Sequence, residues 1–441
     1  MAGEDQRSIL AALSELNLFQ KRALQTAIVA EYDRDFNTIA TLQQDAPIEF
    51  NIQGSNNQFL DLNSSFLELQ TKITKENGMA LVDDDKVAPI NLTGPSLIQL
   101  AEMEIGGKTI TDPNTRYPLR AWIETVTNFD KTVLDTRMLA EGWIKDTAGK
   151  QKETDPSEAG TNKGLVDRGK WFGGSKVRTF IGRPHLDLFN QDTLIPPNVN
   201  VRLRFIPNKS PWLLKTKAPE GQAAQMNYKM DIVGAKMYIH TKEINPSLML
   251  AQTKMLNETN YRIHYKKVTT KTLSIQQGVT TFEVDNVYLG QLPDKIIMGL
   301  VADEDLAGGY QKNPFNFQHF NLNYLALKAN GELVPRIPYQ PNFDKKDYIR
   351  DYLQVLAALG YENSRNMIDL TPDEWANGNN IYAFKVTPGP TGILKSIPRQ
   401  GSIRLDLKFA SATSKNINVI LFAEQCAEIQ IDRYNNVLVM P

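Results

Sequence analysis

The chain has 441 residues, with 49 lysine and arginine residues against 50 aspartate and glutamate residues, and 41% of its residues are hydrophobic. This composition predicts a globular protein of two or three domains, or of two large β domains, and excludes a disordered tail, a collagen or a coiled coil as the main body. The near-zero net charge argues against a nucleic-acid-binding protein built on global charge.

The single cysteine, Cys426, excludes an internal disulfide and a zinc site made of cysteines. One thiol in so long a chain is typical of assembly in a reducing compartment. The first residues are acidic and polar rather than those of a signal peptide. No apolar run approaches the roughly 18 residues needed to cross a bilayer, so we expect a soluble or peripheral protein that is not secreted.

Residues 1–45 are predicted to form an N-terminal arm. Ile9, Leu10, Leu13 and Leu16 lie at helical spacing, which predicts a short amphipathic helix. Such a helix docks on a partner or a membrane surface, or it packs on its own domain, and the spacing does not separate these alternatives.

From Pro47 onward the apolar residues alternate with polar ones, which predicts strands of antiparallel sheets with one face toward a core. The clearest runs are Ile48–Ile52, Leu67–Ile73, Ala101–Ile105, Val199–Phe205, Ile403–Phe409 and Ile417–Ile431. Helical patterns are few. One lies around Trp122. The clearest begins at Ile349 and is predicted to end at Gly360.

An internal repeat organises these strands. A strand, a Gly-Gly turn ending at Gly107 and a second strand are followed by a helical pattern, and the same order recurs 224 positions later around Gly331. Phe180 precedes Phe384 by 204 positions, and Leu203 precedes Leu405 by 202. The first copy is therefore the longer one, and we assign its extra length to residues 145–176, predicted to be a long exposed loop.

The repeat predicts two tandem β domains. We expect the arm at residues 1–45, the first domain at 46–243, a connector at 244–258 and the second domain at 259–441.

No phosphate-binding loop, dinucleotide fingerprint, nucleophile elbow or zinc-binding helix occurs in the sequence. His185 and Asp187 are conceivable as a catalytic base and its orienting carboxylate, but on an alternating strand they simply share a face. The acidic runs at 83–85 and 303–305 lack the pattern of a calcium loop. We therefore expect no catalytic residue, no metal site and no cofactor.

Two further clusters have structural interpretations. Lys266, Lys267 and Lys271 are predicted to protect a sheet edge from aggregation rather than to bind nucleic acid. The aromatic residues Phe315, Phe317, Phe320 and Tyr324 are predicted to lie in the core or at a subunit contact.

Three blocks of sequence carry a resemblance to a known family. They are PIEFNIQGSNNQFLDLNSSFLELQTKIT, NPFNFQHFNLNYLALKANGELVPRIPYQPNF and NVILFAEQCAEIQIDRYNNVLV. In this order they resemble proteins of adintoviruses and related Polinton-like elements, which are similar to the double jelly-roll major capsid proteins of the hexon-like lineage. The resemblance covers nearly all of the chain from Leu16 onward.

The resemblance implies a mainly β fold with two tandem eight-stranded antiparallel jelly rolls and a few short helices. It implies a homotrimer that forms a pseudo-hexameric capsomer of an icosahedral shell, located in the virion capsid after assembly inside the host cell. Neighbouring capsomers and penton and minor capsid proteins are the implied partners, without sequence-specific nucleic acid, and an internal membrane stays open. Residues 129–176 and 361–380 would form an outward tower or subunit contacts, and the arm would tie capsomers together.

Three alternatives share the strand pattern. A tandem β-sandwich binding protein such as a lectin or adhesin should carry a secretion signal. A β-rich enzyme such as a glycosidase needs paired carboxylates across a cleft, which distant residues can provide. A minor capsid protein would usually be a single jelly roll, and the internal repeat argues against it.

Overall fold

The computed structural model describes residues 24–440, apart from 44, 56, 84, 218–227, 363, 365, 366 and 388–397. The helix predicted around Ile9 and Leu16 lies outside the described residues.

The first half of the described chain is mainly β structure. Its strands are β1 (Ile28–Asn37), β2 (Ile48–Gln53), β3 (Gln58–Lys75), β4 (Val87–Pro89), β5 (Ile98–Ile105), β6 (Lys108–Thr109), β7 (Arg178–Gly182), β8 (Asn200–Pro207), β9 (Leu214–Thr216) and β10 (Tyr228–Ile244). Its helices are α1 (Thr93–Ser96), α2 (Tyr117–Asn128), α3 (Lys131–Asp135), α4 (Lys163–Lys170) and α5 (Ser210–Leu213).

The second half follows helix α6 (Pro246–Met255) and is again mainly β structure. Its strands are β11 (Tyr261–Ile275), β12 (Thr281–Gln291), β13 (Lys295–Ala302), β14 (Leu322–Ala329), β15 (Glu332–Tyr339), β16 (Ile381–Lys385), β17 (Gln400–Phe409), β18 (Ile417–Ile431) and β19 (Val437–Met440). Its helices are α7 (Asp303–Ala307), α8 (Ile349–Leu359) and α9 (Pro372–Ala376).

Both halves have the same sheet topology. In the first, antiparallel sheets run in the orders β1-β10-β3-β7 and β2-β8-β5-β6, with β4 and β9 as a separate pair. In the second, the orders are β11-β18-β13-β16, with β19 beside β18, and β12-β17-β14-β15. If the eight principal strands of each half are numbered along the chain, both halves pair them as 1-8-3-6 and 2-7-4-5. This is the jelly roll, and the predicted fold class is confirmed.

The predicted repeat landmarks occupy equivalent places. Gly107 lies in the turn between β5 and β6, and Gly331 lies in the turn between β14 and β15. Both glycines have positive φ, as do Gly106 and Asn330 before them, which the two-residue hairpin turn requires. The predicted helix stop at Gly360 is also confirmed, because Gly360 follows α8 with a φ of 92°.

Residues 28–37, which the sequence pattern assigned to the arm, form β1 at the edge of the first sheet. The strand pairs with β10 along its length, for example Tyr32 with Thr241. Arg34 interrupts the apolar residues on the inward side of β1, and no residue of the strand is buried. The alternation of apolar and polar residues is therefore too weak to predict a strand here. The predicted connector contains α6, and no residue of that helix is buried.

Residues 145–176 were predicted to be an exposed loop, and this prediction is wrong. The segment contains α4, and Leu165, Arg168 and Phe172 are buried. Arg168 pairs with Asp146 at 2.7 Å and donates to the Ile144 carbonyl at 2.8 Å. A buried arginine needs such partners, so the segment is polar in composition but packed in structure.

Replacing Gly106 by alanine should destabilise the protein by about 2 kcal/mol, from left-handed backbone strain and overpacking together. A Cβ atom at Gly106, whose φ is 53°, would lie 2.5 Å from Cγ2 of Val437 in the second domain. Gly331→Ala is the matched control, because its φ is 88° but no atom lies within 4 Å of the added carbon. Urea denaturation of both variants measures the difference, and equal losses would contradict the steric argument.

Candidate functional site

The two domains share their hydrophobic cores. Trp122, on α2 of the first domain, stacks on Phe317 of the second with ring centroids 4.5 Å apart. Phe315 lies 6.1 Å from the same indole and 5.9 Å from the Trp212 ring. The prediction of a core or subunit contact is confirmed for Phe315 and Phe317, which are buried in the core, whereas Phe320 and Tyr324 are half-buried. Apolar burial of this kind makes the junction part of the protein interior.

Strands of the second domain also complete the core of the first. Ile263 on β11, Ile429 on β18 and Val437 on β19 belong to the same buried cluster as Phe50 and Leu203 of the first domain. The backbone amide of Val268 donates to Asp187 at 3.3 Å, which adds a polar contact across the boundary.

The two long connecting segments meet each other. The Lys145 Nζ atom lies 2.8 Å from an Asp369 oxygen and 2.9 Å from a Glu374 oxygen. Gln151 donates to the Asn377 carbonyl at 3.1 Å. The Tyr361 hydroxyl also reaches the first domain, where it donates to the Thr127 carbonyl on α2 at 3.0 Å. Contacts between these two segments therefore link the two domains within one chain. An outward tower or subunit contacts at residues 129–176 and 361–380 stay a prediction.

His185 and Asp187 lie beyond the end of β7, so the prediction that they share one face of a strand is wrong. His185 Nδ1 lies 2.7 Å from Glu124 Oε2, and its Nε2 lies 3.5 Å from Glu141 Oε2. Asp187 instead pairs with Arg120 at 2.6 Å, and Arg120 also pairs with Glu124 at 2.8 Å. These five side chains form a buried ionic cluster beside the domain boundary.

The cluster favours the charged forms of His185 and Glu124. Burial disfavours the His185 imidazolium, but hydrogen bonds and negative charge from Glu124 and Glu141 outweigh it and raise the pKa of His185 to about 9. Burial acts against the Glu124 carboxylate, but Arg120 and His185 lower its pKa to about 2. Burial raises the pKa of Asp187, and the Arg120 guanidinium acts in the opposite direction. The short contact to Arg120 favours the carboxylate.

The cluster sets two basic side chains against three carboxylates, and each of the five lies within ion-pair distance of an oppositely charged partner. Arg120 and Glu124 are four residues apart on α2, a spacing that predicts a helical ion pair. That spacing is the one sign of the cluster in the sequence, and the cluster was not predicted from it. Their contacts with Asp187 and His185 cross more than 60 positions and are not visible in the sequence.

The acidic runs have protein partners. Asp85 contacts Lys75 at 3.0 Å and the Tyr228 hydroxyl at 2.9 Å. In α7, Asp305 is buried and lies 3.2 Å from Lys152 of the first domain. Within the described ranges, no three histidine, cysteine, aspartate or glutamate side chains are placed to hold a metal ion.

The lysine-rich strand β11 is an edge strand, as its composition predicted. Lys271 donates to the Val287 carbonyl at 2.5 Å and lies 4.5 Å from the Tyr288 ring centroid. In the part of the chain that the structure describes, no helix is long and apolar enough to cross a membrane.

Two jelly rolls in tandem with a common interior define the class of fold, the double jelly roll. A chain of the Sputnik virophage structure matches with a TM-score of 0.66 and 11% identity, over 98% of this chain and 92% of that one. The Faustovirus major capsid protein matches at 0.58 and 9%, over 97% and 93%. The mavirus major capsid protein matches at 0.52 and 11%, over 100% and 96%.

In sequence, the chain is similar to an uncharacterised protein of Caenorhabditis elegans. The two are 21% identical over 411 residues, which cover 90% of this chain and 94% of the other. No family model matches the chain.

Proposed function

We propose that the protein is a major capsid protein whose homotrimer forms a pseudo-hexameric capsomer of an icosahedral viral shell. The observation that carries this proposal is the same eight-strand order, present twice in one chain, in domains that share their cores. Three such chains present six similar domains, which suit a six-coordinated lattice position. Closure around a threefold axis would use heterologous contacts between the first domain of one chain and the second of the next.

The fold comparisons support this role, because the matched Faustovirus and mavirus chains are major capsid proteins. The proposed partners are further copies of the chain, neighbouring capsomers, and penton and minor capsid proteins. The proposed location is the virion capsid, after assembly inside the host cell.

The proposed role is structural rather than catalytic. It is supported by the buried ionic cluster, in which Arg120 and His185 face Glu124, Glu141 and Asp187 at ion-pair distances. Buried networks of ion pairs shift pKa values without any role in chemistry on a substrate, and we assign this cluster to that structural class.

The division of the chain is also part of the proposal. The first jelly roll would begin with β1 at Ile28, so the arm would comprise only the residues before that strand. Helix α6 would be the centre of the connector at 244–258, and the second jelly roll would follow from residue 259.

The mass of the purified protein in solution tests the proposal. Light scattering should give a trimer of three times 49.7 kDa, and negative-stain images should show hexagonal particles or closed shells. A stable monomer over a wide concentration range would contradict the capsomer and place the lectin-like or adhesin-like alternative first.

A further inference from the structure

The equivalent helices of the two repeats differ in how they are covered. Helix α2 follows the β5-β6 hairpin, and every residue from Tyr117 to Thr127 is buried. Helix α8 follows the β14-β15 hairpin, but Ile349 and Leu353 are 50% and 56% exposed. These two residues are four positions apart and share one face of the helix. The second copy of the helix therefore has an uncovered apolar face.

The structure shows what covers α2. The covering segment is residues 303–321, between β13 and β14 of the second domain. Phe315 and Phe317 of this segment stack on Trp122. The carbonyl of Leu306 in the same segment accepts from Arg116, just before α2, at 3.3 Å.

The equivalent segment of the first domain is residues 76–97, between β3 and β5. It carries two large apolar side chains in solvent, Met79 at 59% and Val82 at 57% exposure. Ile337 on β15 extends the open face of α8, since it is 64% exposed and its carbonyl accepts from Gln354 of that helix at 2.8 Å. The first domain therefore exposes apolar side chains in the segment equivalent to the one that covers α2, and the second domain exposes the helix face that such a segment would cover.

The two open surfaces also have opposite charge. Residues 336–350 carry four basic residues, Arg336, Lys345, Lys346 and Arg350, against the acidic residues Asp344 and Asp347. Residues 76–86 carry four acidic residues, Glu76, Asp83, Asp84 and Asp85, against Lys86. Asp85 is already paired with Lys75 and Arg350 with Asp351, but Glu76 and Asp83 on one surface and Lys345 and Lys346 on the other are exposed. Complementary charge favours docking in one orientation.

We propose that the open face of α8, with Ile337, binds residues 76–86 of a second copy of this chain. The contact would reproduce between chains the α2 contact that exists within one chain. A bound pair leaves one α8 face free on one chain and one 76–86 segment free on the other, so a third chain can bind both and close a ring. This inference rests on the proposed function and specifies the surface through which the trimer forms.

Cross-linking between chains tests the surface directly. In a Cys426→Ser background, Val82→Cys and Leu353→Cys in one chain should react with a bismaleimide to give covalent dimers and trimers. When the two cysteines are on separate, co-expressed chains, the products should stop at dimers, because each chain then has one thiol. Val82→Cys with Leu250→Cys is the control, since Leu250 is 60% exposed on α6, outside the proposed contact.

Charge substitution on the apolar face gives a second test. The double variant Ile349→Glu, Leu353→Glu should raise the dissociation constant of the trimer, measured by light scattering, at least about tenfold. Leu250→Glu with Met255→Glu places the same charges on exposed positions of α6 and should leave the trimer unchanged. Circular dichroism confirms that each variant is folded.

The outcomes separate this inference from the proposed function. A native trimer that neither cross-links through residues 82 and 353 nor responds to charge on α8 overturns the proposed surface and leaves the capsomer standing. That result would make residues 1–23 the next candidate to cover α8. A native monomer overturns both proposals.

Discussion

Replacing Trp122 by alanine should lower the free energy of unfolding by about 3 to 5 kcal/mol, the usual range for removing a buried tryptophan. The indole is 2% exposed and stacks on Phe317, so its removal leaves a cavity between the two domains. Chemical denaturation followed by circular dichroism measures the loss. Because both cores include residues from both domains, the variant should still unfold in one transition.

The control for this prediction is Tyr434→Ala. Tyr434 is 67% exposed, so the substitution removes an aromatic ring without a cavity and should change stability by less than about 0.5 kcal/mol. A Trp122→Ala loss no larger than that of the control would contradict the shared core. Two separate unfolding transitions in the native protein would contradict it as well.

The native protein should lose its stability advantage over a His185→Gln variant as the pH rises from 6.5 to 9. The folded-state pKa of His185 is about 9, above the ordinary value of 6.5, so the folded protein holds this proton more tightly than the unfolded chain. The resulting stabilisation is fully present below pH 6.5 and is lost as the pH rises through 9. The shift corresponds to about 3 kcal/mol.

Comparison with the variant is necessary because Lys215 titrates in the same range. Burial lowers the pKa of Lys215 to about 8, which makes stability increase with pH above that value and opposes the effect of His185. The difference between the native protein and the variant removes this contribution, because Lys215 is present in both. A pH-independent difference in the free energy of unfolding would show that His185 is neutral in the folded state.

The turns and the alternation of apolar residues made two tandem antiparallel β domains predictable, whereas the jelly-roll arrangement was implied by the family resemblance. Gly107 and Gly331 marked equivalent hairpins, and Gly360 marked the end of α8, because these positions need a left-handed backbone that few other residues adopt. Local chemistry of this kind is visible in the sequence. It was sufficient for the repeat and for the strands with the clearest alternation.

The remaining features depend on contacts between distant residues. Strand β1 has no buried residue, and its place is set by pairing with β10, about 200 positions away. The segment 145–176 is polar in sequence yet packed in the structure, because its polar side chains pair with other protein groups, as Arg168 does with Asp146. The partners of Arg120 and His185 likewise come from separate segments. Composition alone does not distinguish such buried polar groups from solvated ones.

Because the two domains share one interior and one chain, assembly of the proposed capsomer should depend less steeply on protein concentration. In the proposed capsomer, three of the six domain contacts are already closed within chains when the subunits meet. Assembly of a ring from six independent domains would depend on the sixth power of concentration, whereas fused pairs reduce the order to three. The fused chain would therefore form complete rings at concentrations where six separate domains stay dispersed, because the covalent connection provides a high effective concentration.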